Sequence, residues 1–299
     1  MNCPPAPTEP SPEPRLPATS GSGWTAKLEL EYAAVVRAGV SVTAPVLRRH
    51  HGPLRAQRYH HPDDSGACQQ LVIHPPGGIV GGDELDIRVR AHADADVLLT
   101  APGAAKWYRS AGPRAFQRVA LKADAGAHLA WLPQPAIVFD GANVDLTTVI
   151  DAASSATVFY WDVLALGRPL ALPQPRPMVT GSVRTALTVR VDGRPVLDEV
   201  GAFVAGDCFT RSALGLSGHP VFGTFLMVGP AASRGLALAR AVQVPRSIRA
   251  GVTVREGVLV VRALGTCSEM MFQYFSTVWA GLNGLVLGRA VEKPRIWQT

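Results

Sequence analysis

Three aspartates, Asp83, Asp140 and Asp162, stand in apolar or glycine-rich surroundings where a carboxylate is unusual. Such a group must be paired with a cation, hydrated or bound to a metal ion, because an unpaired charge is costly to bury. Two roles therefore stay open: a structural one, in which the carboxylate pairs an arginine or caps backbone amides, and a set of oxygen ligands for a cation. The arginines available for the structural role are Arg109, Arg118 and Arg168.

Residues 74–83, His-Pro-Pro-Gly-Gly-Ile-Val-Gly-Gly-Asp, form the most unusual segment of the chain. This density of glycine and proline predicts a contorted loop that packs closely against another part of the molecule. A phosphate-binding loop would end in Gly-Lys-Ser/Thr, and a dinucleotide fingerprint would need glycine where Ile79 stands. No nucleotide site is therefore predicted, and the glycines form a structural motif: Gly77, Gly78, Gly81 and Gly82.

The motifs of hydrolytic enzymes are also incomplete. Residues 215–219 read Gly-Leu-Ser-Gly-His and miss the G-x-S-x-G nucleophile elbow, and H-E-x-x-H does not occur. Histidines are adjacent at 50–51 and at 60–61, and neighbours on a strand point to opposite faces, so each pair offers one ligand easily. Two interpretations remain possible for the second pair: His60 or His61 forms a weak metal site with Asp63, or the histidines are solvated loop residues.

The composition excludes several classes of protein. Among 299 residues, 47% are hydrophobic and 17% are charged, which excludes disorder over most of the chain. No apolar run reaches the length of a membrane span. The net charge of +6 comes mainly from arginines without a dense basic block, and 7% of residues are aromatic, so nucleic-acid binding is disfavoured. The positive charge therefore indicates either a solvated basic surface or a basic face that binds an acidic partner.

The proline-rich start of the chain and the regular spacing of apolar residues after it divide the chain into a leader and one domain. Residues 1–23 contain seven prolines and predict a disordered leader, followed by a single domain over residues 24–299. Apolar residues then alternate with period two, and tight hairpins are predicted at Asp192-Gly193 and Glu256-Gly257. The pattern predicts an all-β protein with many short strands. The clearest strands cover 28–36, 69–74, 85–90, 97–100, 116–121, 127–132, 144–150 and 158–164.

One late segment departs from the period of two. Apolar residues recur at helical spacing over residues 270–282 and predict a helix, either packed on the sheet or facing a partner. Residues 266–269, Thr-Cys-Ser-Glu, have capping-box spacing, so we expect Thr266 to cap this helix. Gly281 and Gly284 lie where we expect the helix to end.

Five blocks of sequence occur in an order that resembles a known family. They are residues 74–83, Thr-Ala-Pro-Gly-Ala-Ala-Lys-Trp-Tyr-Arg-Ser at 100–110, Trp-Leu-Pro-Gln at 131–134, Tyr-Trp-Asp-Val-Leu-Ala-Leu-Gly-Arg at 160–168, and Pro-Arg-Ile-Trp at 294–297. In this order they resemble the urease accessory protein family UreD, also called UreH. The resemblance runs from residue 23 to residue 299 and adds Lys106, Tyr108 and Arg109 to the structural motif.

The resemblance implies both a fold and a function. The fold would be an irregular β-helix-like stack of many short strands with a small C-terminal helical part. The protein would be a cytoplasmic maturation chaperone and not an enzyme, binding apo-urease with UreF and the GTPase UreG to assist GTP-dependent nickel insertion. No tightly bound cofactor, nucleic acid or membrane is expected, and Ni²⁺ would be held transiently. The four cysteines form no C-x-x-C pair, which favours free thiols in a reducing cytosol.

An ion that must be passed on needs ligands that hold it weakly, and oxygen ligands bind nickel less tightly than thiolates. We therefore expect Asp83, Asp140 and Asp162 to line a polar route for Ni²⁺, with His74 as a neighbour. The rival function is a polysaccharide-active enzyme on a β-solenoid. It is disfavoured because the sequence contains no obvious pair of catalytic carboxylates.

Overall fold

The computed structural model describes residues 23–168, 170 and 174–298. The predicted disordered leader lies outside the described residues except for its last position, Gly23. Gly23 already belongs to the folded part, because a Cβ atom there would lie 2.0 Å from the carbonyl carbon of Gly82. Gly23, which the sequence assigns to the leader, therefore packs against the domain.

Strands dominate the described chain, which confirms the all-β prediction and each of the predicted strands. The strands are β1 (Thr25–Arg37), β2 (Val40–His51), β3 (Arg55–Ala56), β4 (Cys68–Ile73), β5 (Glu84–Ala91), β6 (Asp96–Thr100), β7 (Lys106–Trp107), β8 (Ala115–Ala123), β9 (His128–Trp131), β10 (Ala136–Val138), β11 (Asn143–Ala152), β12 (Thr157–Arg168), β13 (Arg176–Pro177), β14 (Ser182–Val191), β15 (Arg194–Val204), β16 (Val221–Val228), β17 (Ile248–Arg255) and β18 (Val258–Gly265). The helices are α1 (Cys208–Arg211), α2 (Ala232–Ala241), α3 (Ser268–Leu287) and a 3-10 helix, Arg295–Gln298.

The strands form two facing sheets that the chain visits alternately. In the seven-stranded sheet β1, β5, β8, β11 and β14 run parallel, and β2 and β15 close its edges in antiparallel fashion. In the 11-stranded sheet β4, β6, β9 and β12 run parallel and β16, β18 and β17 follow in antiparallel order. The chain passes from one sheet to the other at β5–β6, β8–β9 and β11–β12, which is the expected β-helix-like stack.

Three short strands of the 11-stranded sheet, β7, β10 and β13, form a side branch that closes one side of this stack, and this branch is called the short sheet. In it β7 pairs with β10, β10 pairs with the end of β12, and β13 pairs with the last residues of β12. Residue Ile79 joins the same ladder through a bridge to Trp107. The glycine-rich loop therefore forms one rung of the short sheet.

Strand β12 separates two hydrophobic cores. Its residues Tyr160 and Leu164 belong to the core between the facing sheets, whereas Phe159 and Trp161 belong to a second core under α2 and α3. Successive side chains on a strand point to opposite faces, so a strand buried on both sides is apolar at nearly every position. The side chain of Asp162 therefore lies on the same face of β12 as those of Tyr160 and Leu164, between the facing sheets.

The predicted late helix is present as α3, but both of its predicted ends are wrong. The N-cap is Cys267 and not Thr266, and no side-chain hydrogen bond caps the helix. The helix ends at Gly288, in the left-handed conformation with φ 65°. Gly281 lies inside it, where a Cβ atom would come within 2.8 Å of Leu238 of α2, so glycine there permits close helix packing and does not stop the helix.

Helix α2 was not predicted, because its apolar stripe is made of small residues. Its buried positions are Ala232, Gly235 and Ala239, which give a weak periodic signal. Small side chains let α2 approach α3 and the sheet closely. No helix in the described part of the chain is long and apolar enough to cross a bilayer.

Both predicted hairpin turns are confirmed. Asp192 and Gly193 have φ 48° and 78°, and Glu256 and Gly257 have φ 49° and 75°. Two successive positive φ values are typical of the turn that matches the twist of antiparallel strands.

Replacement of Gly81 by alanine tests the packing of the glycine-rich loop. A Cβ atom would lie 2.0 Å from Ser110 Oγ and 2.5 Å from the backbone oxygen of Pro113, so we expect a loss of about 1–3 kcal/mol in the free energy of unfolding. Gly103→Ala is the control, because nothing lies within 4 Å of its Cβ position and its change should stay within about 0.5 kcal/mol. Equal urea-unfolding midpoints for the two variants would contradict a tightly packed loop.

Candidate functional site

Asp162 lies in the middle of β12, opposite Thr224 of β16, and its side chain faces the space between the two large sheets. Burial raises the pKa of its carboxyl group to about 6, and a hydrogen bond from the Val163 backbone opposes this effect. No basic side chain forms an ion pair with Asp162 in the described part of the chain. The structure thus holds a carboxyl group that is enclosed by protein but partly accessible to solvent, and that has no cationic partner among the described residues.

Two cavities meet at this carboxylate. A wide cavity of about 830 Å³ lies where β14 and β15 face β16, β17 and β18, and it reaches the surface beside Leu214. A narrow cavity of about 350 Å³ lies on the other side and reaches the surface beside Pro75 and Pro102. Leu146 and Asp162 line both cavities, so these two side chains form the wall between them. Although protein surrounds Asp162, water-sized space touches it from both sides.

Polar groups continue from Asp162 into the wide cavity. Tyr160 and Thr148 line the cavity next to it and share a hydrogen bond of 3.2 Å between their hydroxyl oxygens. Burial, and then the charge of Asp162, raise the pKa of Tyr160 well above its usual value, so this phenol stays neutral. Asp162 therefore has neutral oxygen atoms beside it.

Sequence reasoning missed the charged residues at the outer part of the wide cavity. Arg262 of β18 donates hydrogen bonds to Glu199 of β15 and, at 3.2 Å, to Thr224 Oγ1, and so joins the two large sheets. Asp198 also lines this cavity. Arg262 could have been noticed, since it interrupts the apolar strand β18, whereas its pairing partner is 63 residues away in sequence.

His74 lines the narrow cavity, where burial lowers its pKa and the charge of Asp83 partly offsets this effect. Its imidazole is therefore neutral at neutral pH and can offer a nitrogen lone pair. Asp83 is itself buried and accepts hydrogen bonds from the backbone of Trp24 at 2.8 Å and of Val80 at 2.9 Å. It ties the glycine-rich loop to the start of β1 and lines neither cavity.

Asp140 binds two loops together. One carboxylate oxygen accepts hydrogen bonds from the backbone of Val179 at 3.0 Å and of Thr180 at 2.8 Å, and the other accepts one from Arg109 at 2.7 Å. These hydrogen bonds outweigh partial burial and lower the pKa of Asp140. Asp140 lines neither cavity, so the structure does not bring it together with Asp162 and His74.

Of the three arginines considered as partners, Arg109 pairs with Asp140 as expected. Arg118 lies on the outer face of the seven-stranded sheet and pairs with Glu84 at 3.1 Å, so it is not the partner of any of the three aspartates. Within the described residues Arg168 has no ion pair with any of the three aspartates.

Of the motif residues, Gly77, Gly78 and Lys106 line the narrow cavity. The backbone nitrogen of Ile79 donates to the oxygen of Lys106 at 2.7 Å, and that of Tyr108 donates to Ile79 at 2.8 Å. A Cβ atom at Gly78 would lie 1.9 Å from the Tyr108 ring, and Gly77 and Gly82 have φ values of 76° and 95°. The predicted close packing of the loop is confirmed.

The adjacent histidines do not assemble a metal centre with Asp63. The Nε2 atom of His61 lies 2.8 Å from the carbonyl oxygen of Thr43, and Asp63 binds Ser65 and Arg289. Across residues 23–168, 170 and 174–298, no group of three or more His, Cys, Asp or Glu side chains could hold a metal ion.

Comparison with known proteins shows which family the chain matches. The family model described as UreD urease accessory protein matches residues 25–298. The urease accessory protein UreD of Nitrosococcus oceani is 40% identical over 276 residues, which is 92% of this chain and 90% of that protein. UreD of Pseudomonas fluorescens Pf-5 is 41% identical over 287 residues, 95% of this chain and 99% of that protein. UreD of Pseudomonas aeruginosa PAO1 is 41% identical over 276 residues, 92% and 95% of the two chains.

The raised pKa of Asp162 predicts how stability depends on pH. The folded state holds this proton up to about pH 6, whereas the unfolded chain releases it near 3.8, so stability falls as pH rises between these values. Asp162→Asn removes this titration. Relative to the variant, the wild type should lose about 2 kcal/mol in urea unfolding between about pH 4.5 and about pH 7.5. A stability difference that does not change with pH would show that Asp162 is not a buried carboxyl group.

Proposed function

Because the chain belongs to the UreD family of urease accessory proteins, we propose that it is a maturation chaperone that binds apo-urease together with UreF and UreG and assists GTP-dependent insertion of nickel. The family consists of accessory proteins, so the expectation that the chain is not an enzyme is confirmed and the polysaccharide-active alternative is excluded. The working compartment in this proposal is the cytoplasm. Free Cys68, Cys208 and Cys267 are compatible with it.

Our proposal for the chain's own part is that Ni²⁺ passes through the stack from one cavity to the other. The observation that carries it is the position of Asp162 in the wall shared by the two cavities, without an arginine partner among the described residues. A divalent cation arriving there would offset the cost of burying the carboxylate. A single carboxylate with neutral neighbours binds nickel weakly enough to release it.

Beyond Asp162, the imidazole of His74 is the next ligand that the narrow cavity offers. Asp83 lies close enough to influence the pKa of His74, but its oxygens are already occupied by backbone amides. Asp140 is occupied in the same way. For these two aspartates the hydrogen bonds support the structural role that the sequence left open, and their place on the nickel route stays a prediction.

The test compares Asp162→Asn with Asp151→Asn, since asparagine keeps the shape and removes the charge. Asp151 is a suitable control because it is half exposed and pairs with Arg190 at 3.3 Å, away from both cavities. Each purified variant is assembled with UreF, UreG and apo-urease, and the nickel content of the urease is measured. We expect Asp162→Asn to form the complex and to reduce nickel content at least about twofold, with the control unchanged.

Two other results would count against the proposal in different ways. Full nickel loading with Asp162→Asn would remove this residue from the route while leaving the chaperone role intact. A wild-type chain that binds neither UreF nor apo-urease would contradict the chaperone role itself.

A further inference from the structure

Strand β15 is the last strand of the seven-stranded sheet and pairs only with β14 among the described strands. The backbone nitrogen of Ala205 donates to the oxygen of Gly181 at 3.0 Å, which fixes the residues of β15 that bond to β14. Bonded and non-bonded pairs alternate in an antiparallel ladder, so the N–H and C=O groups of Val200 and Ala202 point away from β14. Within the described residues these four groups make no hydrogen bond.

The open part of this edge has a defined end. Val204 also turns its backbone outward, but its N–H donates to Asp207 Oδ2 at 3.0 Å and its oxygen accepts from the Asp207 nitrogen at 3.1 Å. The open part therefore covers residues 198–202, which is the length of a short strand. We call these residues the β15 edge.

The other outer strands of the two large sheets are protected in the described chain. On β2, the Thr43 nitrogen donates to the oxygen of Gly66 at 2.8 Å. On β17, Arg240 donates to the oxygen of Val252 at 3.1 Å, and β3 is two residues long. Proteins protect exposed edges in these ways because an open edge pairs with other chains. Residues 200–206 contain no charge and no proline, so the β15 edge lacks this protection.

Strand β17 extends beyond the last strand of the facing sheet. Arg262 of β18 donates a hydrogen bond to Glu199 of β15, so β15 lies opposite β18, and β17 is the next strand outward. On β17 every second residue is exposed: Arg249, Gly251, Thr253 and Arg255. A strand added to the β15 edge would lie opposite these residues.

Arg249 and Arg255 lie on the same face of β17, towards the seven-stranded sheet. Their partners on β18 are Leu264 and Val258, and both of these contribute to the core between the facing sheets. Residues directly opposite each other in an antiparallel pair lie on one face of the sheet. The intervening residues of β17 pack instead on the core under the helices.

Both arginines of this face lack an ion pair within the described residues. Two carboxylates of the surrounding strands and turns are already bound, Glu199 to Arg262 and Glu256 to Arg194. A chain that lies over β17 therefore meets two free positive charges, and carboxylate side chains would complement them.

The gap between β15 and β17 is also the mouth of the wide cavity. Residues 198–201 line it from one side and residues 249–251 from the other. Leu214, which is 97% exposed, stands at the rim on a loop held by the bond from its own nitrogen to Ser212 Oγ at 3.1 Å. An ion in an open mouth exchanges with solvent, so transfer between proteins requires this mouth to be covered.

We propose that an extended segment of a protein partner adds to the β15 edge as an eighth strand, with acidic side chains towards Arg249 and Arg255, and covers the mouth of the wide cavity. This inference rests on the proposed function. The unpaired backbone groups require an occupant with its own N–H and C=O groups at strand spacing, and the free arginines require its charge.

A second copy of this chain fits the gap less well. Its own β15 would bring Glu199 to this face, but that carboxylate is already bound to Arg262. Pairing of two copies would also close each wide cavity against the other and leave no donor or acceptor of nickel at either mouth.

Proline at position 202 tests the backbone pairing. Ala202→Pro removes an outward N–H that β14 does not use, so the sheet should keep its fold, whereas Ala202→Ser keeps the N–H and is the control. Binding of each purified variant to purified UreF and, separately, to purified apo-urease is measured. We expect the proline variant to weaken binding to one of the two proteins at least about tenfold, with a wild-type circular dichroism spectrum and with the control near wild type.

Charge reversal tests the side chains of the occupant. Arg249→Glu is compared with Arg234→Glu, the same change at an exposed arginine of α2 on the other side of the sheet. We expect Arg249→Glu to weaken binding to the same protein at least about tenfold at low salt and less at high salt, with the control near wild type.

Hydrogen exchange of the wild-type chain identifies strand addition directly. In the free chain the amides of Val200 and Ala202 should exchange rapidly, while those of Gly201 and Phe203, which bond to β14, are protected. Saturation with the protein that the variants weaken should protect Val200 and Ala202 at least about tenfold. This measurement needs no variant and so does not depend on the folding of Ala202→Pro.

Four outcomes would overturn the inference. They are wild-type affinity of a folded Ala202→Pro for both proteins, an equal loss in either control variant, rapid exchange of the two amides in both saturated complexes, and protection of these amides by self-association without a partner. If the wild-type chain binds neither protein, the proposed function fails, and the inference fails with it for that separate reason.

Discussion

The burial of β12 on both faces is the constraint on which the site depends. On the helix side, Trp161 packs edge-on against Phe272 of α3 at 5.4 Å and donates a hydrogen bond to the oxygen of Pro133 at 2.7 Å. A shift of one residue in register would turn Asp162 into this apolar layer and expel Trp161 from it. The aromatic layer under the helices therefore holds Asp162 in the space between the sheets, where water or a cation can reach it. Trp297 closes the layer by packing on Trp161 at 5.3 Å.

The same architecture explains why space remains on both sides of Asp162. Towards the wide cavity the facing strands carry polar and charged side chains, and the pair Arg262–Glu199 links the sheets there in place of a packed apolar core. Towards the narrow cavity, glycines and prolines bring loop backbones close together but supply no side chains to fill the interior.

Much of this fold could be predicted from the sequence. Period-two alternation located the strands, and the Asp-Gly and Glu-Gly pairs located two hairpins, because these signals are local. The ends of α3 could not be predicted, since Gly281 serves contact with α2, which is itself built on small residues. The sequence pattern identified Asp83, Asp140 and Asp162 together as candidates but could not rank them. The backbone groups that bind Asp83 and Asp140, at Trp24 and Thr180, are brought to them only by tertiary structure.

Blocking the wall between the cavities is the most direct test of transfer through the chain. Leu146 lines both cavities, so Leu146→Trp would place an indole at their junction without changing a charge or an outer surface. The measurement is the nickel content of urease activated by the assembled complex in the presence of a chelator that captures free Ni²⁺. Our account predicts that the variant still binds UreF and apo-urease but loads much less nickel than the wild type. Equal loading by a variant that assembles normally would show that nickel does not pass through this chain.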